Sequence, residues 1–95
     1  MMKKYNYNYA IVFYDIKEKR VQKVFKICKK YLSHYQYSVF RGEITPSKLI
    51  LLKNELNDVI NKEEDFVCII KTFNNSVFEE EILGHKTTES DNLII

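Results

Sequence analysis

Apolar residues recur with two different periods along the chain, and the change of period predicts the order of its elements. From Tyr5 to Tyr9 apolar and polar positions alternate, and residues 10–14 are then apolar without interruption, which is typical of a central β-strand. Farther along, apolar residues recur every three or four positions, which predicts an amphipathic helix. The members of this helical stripe are Val21, Val24, Phe25, Cys28, Tyr31, Leu32 and Tyr35.

The middle of the chain predicts extended structure followed by a second helix. Residues 36–45 favour extended chain with a bend or bulge at Gly42, and one bent strand or two short strands both fit. Thr45 followed by Pro46 predicts a helix start with a hydroxyl cap and proline in the first position. The buried stripe of this helix comprises Leu49, Leu52, Leu56, Val59 and Ile60.

The last third of the chain predicts a β-hairpin. Residues 65–73 are rich in aromatic and β-branched side chains, as strands are. Asn74 and Asn75 favour a tight turn because asparagine tolerates positive φ, and residues 76–83 return as the second arm.

This order of elements predicts an α+β fold, a ferredoxin-like sandwich of β-α-β-β-α-β order with an added C-terminal strand or arm. Two helices cover one face of an antiparallel sheet, and residues 1–83 form the domain. Residues 84–95 form an arm that ends in three apolar residues and docks on a partner protomer or another protein. The uncovered sheet face would expose Tyr5, Tyr7 and Tyr9 in a monomer, which predicts a face-to-face homodimer.

Charge is distributed unevenly along the chain. Residues 1–41 carry ten Lys and Arg against two Asp and Glu, and residues 42–95 carry five against eleven, so the net charge of +2 combines +8 and −6. Such a distribution favours a surface that attracts polyanions, with an ordinary solvated surface as the alternative.

Asp15 closes the apolar run of the first strand and stands directly before a segment dense in lysine and arginine. A carboxylate at this position suits a divalent cation beside a phosphate. Mg²⁺ usually takes one or two carboxylates with waters and substrate phosphate, so a two-fold axis that pairs Asp15 with its twin would hold one Mg²⁺ per dimer. The structural alternative is a capping box at the start of the basic helix, formed by Asp15 and Glu18.

The first predicted helix carries a lysine stripe that indicates phosphate binding. Glu18 is the only acidic residue between Lys17 and Lys30, whereas solvated helices usually mix charges. Binding through such cations does not depend on base sequence and weakens with salt. The predicted nucleic-acid-binding residues are Lys17, Lys19, Arg20, Lys23, Lys26, Lys30 and Arg41. Aromatic residues that could stack on bases, unless they belong to the core, are Tyr14, Tyr37 and Phe40.

The remaining chemistry-bearing residues predict no further site. Cys28 and Cys68 lie in apolar segments without zinc-ligand spacing and are expected to be reduced core thiols. His34 and His85 are isolated and are expected on the surface or in loops. No apolar stretch is long enough to cross a membrane, so a cytoplasmic protein without membrane contact is expected.

Three motifs together resemble the CRISPR-associated Cas2 family. They are Tyr14-Asp15-Ile16, the segment Gln36-Tyr37-Ser38-Val39-Phe40-Arg41-Gly42-Glu43-Ile44-Thr45-Pro46, and Glu64-Asp65-Phe66-Val67. The similarity covers roughly residues 8 to 83 in the expected order. The resemblance implies a ferredoxin-like homodimer that serves as a metal-dependent endonuclease, as a scaffold between Cas1 integrase dimers in spacer acquisition, or as both.

The resemblance also assigns roles to individual residues. It makes Asp15 the catalytic acid and metal ligand, places Tyr14 and Phe40 near that site, and puts Arg20 in a basic stretch that follows the acid. The arm from Gly84 onward is similar to the extension that crosses to the other protomer or meets Cas1. Two interpretations stay open: a Mg²⁺-dependent nuclease acting on duplex DNA or RNA, and a noncatalytic DNA-bridging scaffold. A toxin-like endoribonuclease of the same fold is a third.

Overall fold

The computed structural model describes residues 7–73 and 77–85 of the 95-residue chain. Within these ranges the sheet is antiparallel, with strand order β2-β3-β1-β4-β5. This is the ferredoxin-like arrangement with β5 added beside β4, which confirms the predicted α+β fold. The elements are β1 (Tyr9–Asp15), α1 (Glu18–Tyr31), β2 (Ser33–Gln36), β3 (Val39–Glu43), α2 (Pro46–Val59), β4 (Phe66–Phe73) and β5 (Val77–Gly84).

The core lies between one face of the sheet and the two helices. Alternate residues of β1, namely Ala10, Val12 and Tyr14, point into it, and the apolar stripes of both helices close it from the other side. At the start of α2 the Thr45 hydroxyl accepts a hydrogen bond from the Lys48 backbone N–H at 3.3 Å, so the predicted cap is confirmed. The predicted burial of Cys28 and Cys68 is also confirmed, although only Cys28 belongs to this core, since Cys68 pairs with Phe13 on the opposite face of the sheet.

The first helix ends earlier than the sequence stripe predicts. Leu32 is its C-cap, with an extended backbone at φ −134° and ψ 168°, and Tyr35 lies in β2 with 53% of its surface exposed. The predicted helical position of Tyr35 is therefore wrong. The residues after Leu32 instead form backbone hydrogen bonds to β3, which a periodicity count does not register.

Residues 33–43 form two strands rather than one bent strand. Their turn contains Tyr37, whose φ of 47° is in the left-handed region. The bulge predicted at Gly42 is misplaced, because the β1–β3 register runs through Gly42 without a shift. The shift lies between His34 and Gln36, in the edge strand.

The sheet face opposite the helices is apolar along its centre. We call it the open face, and its residues alternate with the core residues along each strand. Six apolar residues of this face keep part of their surface exposed: Tyr9, Ile11, Phe13, Val39, Ile70 and Ile82. Phe66 and Cys68 lie on the same face and are buried. Tyr5 lies outside the described residues, and Tyr7 is half-buried. The homodimer that would cover this face stays a prediction here.

The end of β5 approaches the α2–β4 connection closely. A Cβ built on Gly84, where φ is +89°, would lie 2.1 Å from the carbonyl oxygen of Asp65, so only glycine fits. The next residue, His85, donates its backbone N–H to that same oxygen at 2.8 Å. The β4–β5 hairpin is confirmed by the pairing of the two strands, whereas the predicted turn at Asn74-Asn75 and the arm from residue 86 onward, with Leu93-Ile94-Ile95, lie outside the described residues.

Candidate nucleic-acid and metal site

Asp15 is the last residue of β1 and is exposed on the edge of the open face. It has the same strand parity as Ile11 and Phe13 and pairs in register with Phe66 of β4. The strand before it is held by core residues on one side, so the backbone that carries this carboxylate is fixed. Asp15 therefore places an exposed carboxylate between the end of β1 and the start of the basic helix α1.

The capping interpretation of Asp15 and Glu18 is wrong. The N-cap of α1 is Lys17, with φ −60° and ψ 146°, and no side chain caps the helix from that position. The Lys17 backbone N–H instead donates to Asp65 Oδ1 at 2.9 Å, a residue 48 positions away. The carboxylate that accepts from the start of α1 thus comes from the residue directly before β4, and Asp15 takes no part in the cap.

Asp65 is a buried acid with no exposed surface. It accepts backbone N–H groups from Lys17 at 2.9 Å and from Asn61 at 2.8 Å, and the Arg20 guanidinium at 2.6 and 3.1 Å. Burial by itself raises the pKa of Asp65, but the hydrogen bonds from Arg20, Lys17 and Asn61 outweigh it and hold that pKa below its usual range. We call Asp65, Arg20 and Glu64 the clasp.

Arg20 was predicted to bind nucleic acid, but the structure gives it another role. Its side chain is only 15% exposed, and it bridges Asp65 and Glu64, the latter also at 2.6 Å. Side-chain hydrogen bonds to Asp65 and then Glu64 raise the pKa of Arg20 further. Its guanidinium links α1 to the α2–β4 connection and does not point into solvent as the exposed lysines of α1 do. Sequence reasoning missed Asp65 as its partner, although an acid directly before a buried strand was a usable signal.

The predicted lysines are exposed along α1 and the segment before it. Lys19, Lys23, Lys26 and Lys30 recur at intervals of four, three and four residues and so share one helix face. Lys30 also reaches Glu55 of α2, whose carboxylate raises the pKa of Lys30. Within residues 7–73 and 77–85, the structure records no ion pair for Lys17, Lys19, Lys23 or Lys26. Lys17 and Lys19 also lower the pKa of Glu64 after Arg20 does, so the positive charge without an acidic neighbour among the described residues is that of Lys23 and Lys26.

Tyr14 and Phe40 lie beneath the site rather than on its surface. Their rings stack at 6.2 Å between centroids, and both residues are buried. Burial, and then the neighbouring Cys28, raise the pKa of Tyr14 to about 12, so the phenol stays neutral. The suggestion that these two rings stack on bases is therefore wrong for this conformation, because no base can reach them. Tyr37, by contrast, is 86% exposed.

The metal chemistry rests on a single carboxylate per chain. Among the described residues no three His, Cys, Asp or Glu side chains gather where they could hold a metal ion. One aspartate with waters and substrate phosphate is still within what Mg²⁺ accepts, and a second aspartate from a twin chain would improve the match. The donor chemistry of Asp15 fits such an ion, and the described part of the chain supplies no further ligand.

No helix within the described residues is long and apolar enough to cross a membrane. The fold and the site define a small ferredoxin-like α+β protein with an exposed acid at the end of β1 and a cationic first helix. Residues 8–79 match the family described as CRISPR associated protein Cas2. The chain therefore belongs to the Cas2 family of CRISPR-associated proteins, as its motifs had predicted.

Individual relatives are similar over most of the chain. "CRISPR-associated endoribonuclease Cas2 3" of Thermodesulfovibrio yellowstonii is 45% identical over 86 residues, covering 90% of this chain and 98% of that protein. "CRISPR-associated endoribonuclease Cas2" of Thermotoga maritima is 43% identical over 76 residues, covering 80% and 87%. A crystal structure of Cas2 shares the fold with a TM-score of 0.69 at 32% identity, covering 86% of this chain and 92% of the other.

Proposed function

We propose that this Cas2 protein is a homodimeric, cytoplasmic, nucleic-acid-binding subunit of CRISPR spacer acquisition that carries a Mg²⁺-dependent phosphodiesterase site at paired Asp15 carboxylates. The observation that carries the proposal is the place of Asp15, exposed at the edge of the same sheet face that bears the uncovered apolar residues. Packing that face against a second copy about a two-fold axis covers the apolar side chains and puts two acids on one side of the dimer. The endoribonuclease names of its relatives support a hydrolytic role.

The chain's own residues divide the work in this proposal. Lys19, Lys23 and Lys26 bind backbone phosphates without reading bases, and the clasp fixes the start of α1 relative to Asp15. Asp15 lies exposed at the surface, where a phosphodiester can approach. A Mg²⁺ bound between the two acids would polarise the phosphodiester and orient the attacking water.

A second function, a noncatalytic scaffold that bridges duplex DNA and binds the Cas1 integrase, is favoured by a different observation. The described residues supply one candidate metal ligand per chain, which is few for an efficient hydrolase, whereas the lysine face is complete in each protomer. In this alternative the arm that begins near Gly84 contacts Cas1 and the acid has no chemical role.

The substitution Asp15→Asn distinguishes the two functions. Asparagine keeps the size of the side chain but removes the charge that a metal requires, so hydrolysis of RNA and duplex DNA with Mg²⁺ should fall by more than the ~10- to 100-fold that loss of an outer-sphere partner costs. Asp58→Asn is the matched control, since Asp58 is an exposed acid of α2 away from the site. Activity that survives in the Asp15 variant, or that needs no divalent cation, would leave the scaffold function alone.

A further inference from the structure

A row of four residues crosses the open face and carries opposite charges at its two ends. The strand register aligns the four side by side, in the order Arg41 of β3, Ile11 of β1, Ile70 of β4 and Glu80 of β5. Neighbouring strands lie about 4.8 Å apart, so roughly 14 Å separates the two charged positions. We call these four residues the charged row, and the proposed function gives it no role.

Both charged side chains of the row are exposed on the open face. The guanidinium carbon of Arg41 lies 4.0 Å from the centroid of the exposed Tyr35 ring, in a cation–π contact. The Glu80 carboxylate accepts a hydrogen bond at 3.2 Å from Sγ of Cys68, a residue of the same face. Within residues 7–73 and 77–85 the structure records no ion pair for Arg41 or Glu80. Each charge is therefore available to a partner that covers this face.

Two copies stacked face to face with aligned strands leave two choices for the two-fold axis. An axis parallel to the strands places Arg41 of one copy opposite Glu80 of the other, and symmetry makes this contact twice. Stacked sheets lie about 10 Å apart, a distance that an arginine and a glutamate side chain span together. An axis along the row instead places each charge opposite its own twin, and like charges repel. The charged row therefore favours the axis parallel to the strands.

The neighbouring apolar row favours the same axis. It comprises Val39, Phe13, Cys68 and Ile82, one step closer to Asp15 on this face. With the axis parallel to the strands, Val39 faces the 37% exposed Ile82 of the other copy and both lose contact with water. With the axis along the charged row, Val39 would face the acidic Glu43, which pairs with Tyr9 on the far side of that row.

We infer that an ion pair between Arg41 of each subunit and Glu80 of the other sets the dimer axis parallel to the strands, so that the open face accepts a second copy in one orientation. This inference rests on the proposed function, which requires a homodimer, and it names the residues that decide how the copies meet. Arg41, which the sequence predicts to bind nucleic acid, serves assembly instead.

The orientation of the axis decides where the two Asp15 carboxylates lie. Asp15 is four residues beyond Ile11 along β1, which is about 14 Å. An axis parallel to the strands keeps both acids at one end of the dimer. An axis along the row would place them at opposite ends, roughly 27 Å apart along the strand direction. The ion pairs thus position the acids without touching a substrate.

The charge pattern favours a second copy of this chain over other occupants of the open face. Nucleic acid is repelled by the exposed carboxylates of Glu80 and Asp15 and has no use for the aliphatic centre between them. A different protein would need a matching pattern of its own. A second copy brings the complementary charges with it by symmetry.

The test reverses the two charges in separate variants of the full chain, without nucleic acid. Arg41→Glu and Glu80→Arg each create two like-charged contacts in their own dimer, so the dimer Kd in sedimentation equilibrium should rise about 30- to 1,000-fold. An equimolar mixture of the two variants makes both contacts attractive again, and so does the double variant. Both should return to within about threefold of the wild-type Kd. Native mass spectrometry with a mass tag on one variant identifies the heterodimer in the mixture.

Lys62→Glu and Glu63→Arg are the matched controls, because they reverse the same charges on exposed residues of the α2–β4 connection. Each should leave the dimer Kd within about threefold of wild type. Recovery in the mixture also shows that both variants are folded, because an unfolded subunit has no open face to pair.

Each contrary result has its own consequence. A dimeric wild type whose Kd is unchanged by either reversal overturns the inference and leaves the proposed function standing. Recovery in the double variant but not in the mixture also overturns it, because the two charges then attract within one chain. A wild-type protein that is monomeric overturns the inference together with the homodimer of the proposed function.

Discussion

Removing the buried acid of the clasp tests how the start of α1 and the α2–β4 connection are held together. Asp65→Ala leaves the backbone N–H groups of Lys17 and Asn61 without their acceptor and leaves the Arg20 guanidinium with Glu64 alone. Asp65 has no exposed surface, so water cannot replace the missing carboxylate in the folded protein without a rearrangement. Both the start of α1 and the end of the α2–β4 connection lose an anchor.

The expected loss of stability follows from the burial of the pair. Breaking a buried ion pair by removing one partner costs about 3–5 kcal/mol. Because 15% of the Arg20 side chain is exposed and can recover hydration, we take the lower end, about 3 kcal/mol. For a domain of this size that corresponds to a fall in Tm of about 12–24 °C. Urea denaturation followed by circular dichroism measures the free energy of unfolding directly.

The same residue predicts a pH dependence with a definite sign. The pKa of Asp65 is depressed in the folded protein, so the unfolded chain takes up the proton first as the pH falls. The stability that the carboxylate contributes is present above the unfolded pKa of about 3.9 and is lost as the pH falls through the folded pKa. The difference in unfolding free energy between wild type and Asp65→Ala should therefore be constant near neutrality and shrink below about pH 4.

Lys53→Met provides the matched comparison. It removes one partner of the Lys53–Glu81 pair, whose side chains are 25% and 37% exposed, and should cost no more than about 1 kcal/mol. If Asp65→Ala costs no more than Lys53→Met, or if its effect stays the same down to pH 3, the reasoning about the clasp is refuted.

Three further predictions concern the sheet and its two surfaces. Gly84→Ala should lower the unfolding free energy by about 1–3 kcal/mol in urea denaturation, because the new Cβ would overlap the Asp65 carbonyl oxygen. Lys23→Gln should make the slope of log K against log salt for duplex DNA less negative by about 0.9 for every phosphate that this lysine neutralises. Phe13→Glu should convert a dimer into a monomer in sedimentation, because it places a charge between Val39 and Cys68 in the apolar part of the open face.

Each of these predictions has a control on the same chain. Gly42→Ala should cost less than the Gly84 change, since its Cβ would meet its nearest atom at an ordinary 3.6 Å. Lys62→Gln changes the net charge equally but lies in the α2–β4 connection, so an equal effect on the salt slope would contradict the lysine face. Leu51→Glu changes an exposed residue of α2, away from the open face, and should leave the dimer intact. A wild-type protein that is monomeric at micromolar concentration would contradict the prediction of a dimer.

The alternation and helical stripes of the sequence predicted the first strand, both helices and the β4–β5 hairpin in order, but left residues 36–45 as one strand or two. The strand predicted at residues 10–14 and the helix start predicted at Thr45-Pro46 are both confirmed, and both signals depend on neighbours a few positions apart. The three motifs together likewise predicted the family, which the family match over residues 8–79 confirms. Where the sequence reasoning failed, at Tyr35 and Gly42, the outcome depended on strand pairing, which a local period does not contain.

Only the tertiary structure decided which charged and aromatic side chains face solvent. The charge pattern alone groups Arg20 with the lysines around it. In the folded protein Arg20 instead forms an ion pair with Asp65, 45 positions away along the chain. Tyr14 and Tyr37 are equally aromatic, yet one is buried in the core and the other stands exposed at a turn. Burial and ion pairing depend on contacts between segments that are distant in the sequence. Those contacts form only when the helices pack on the sheet.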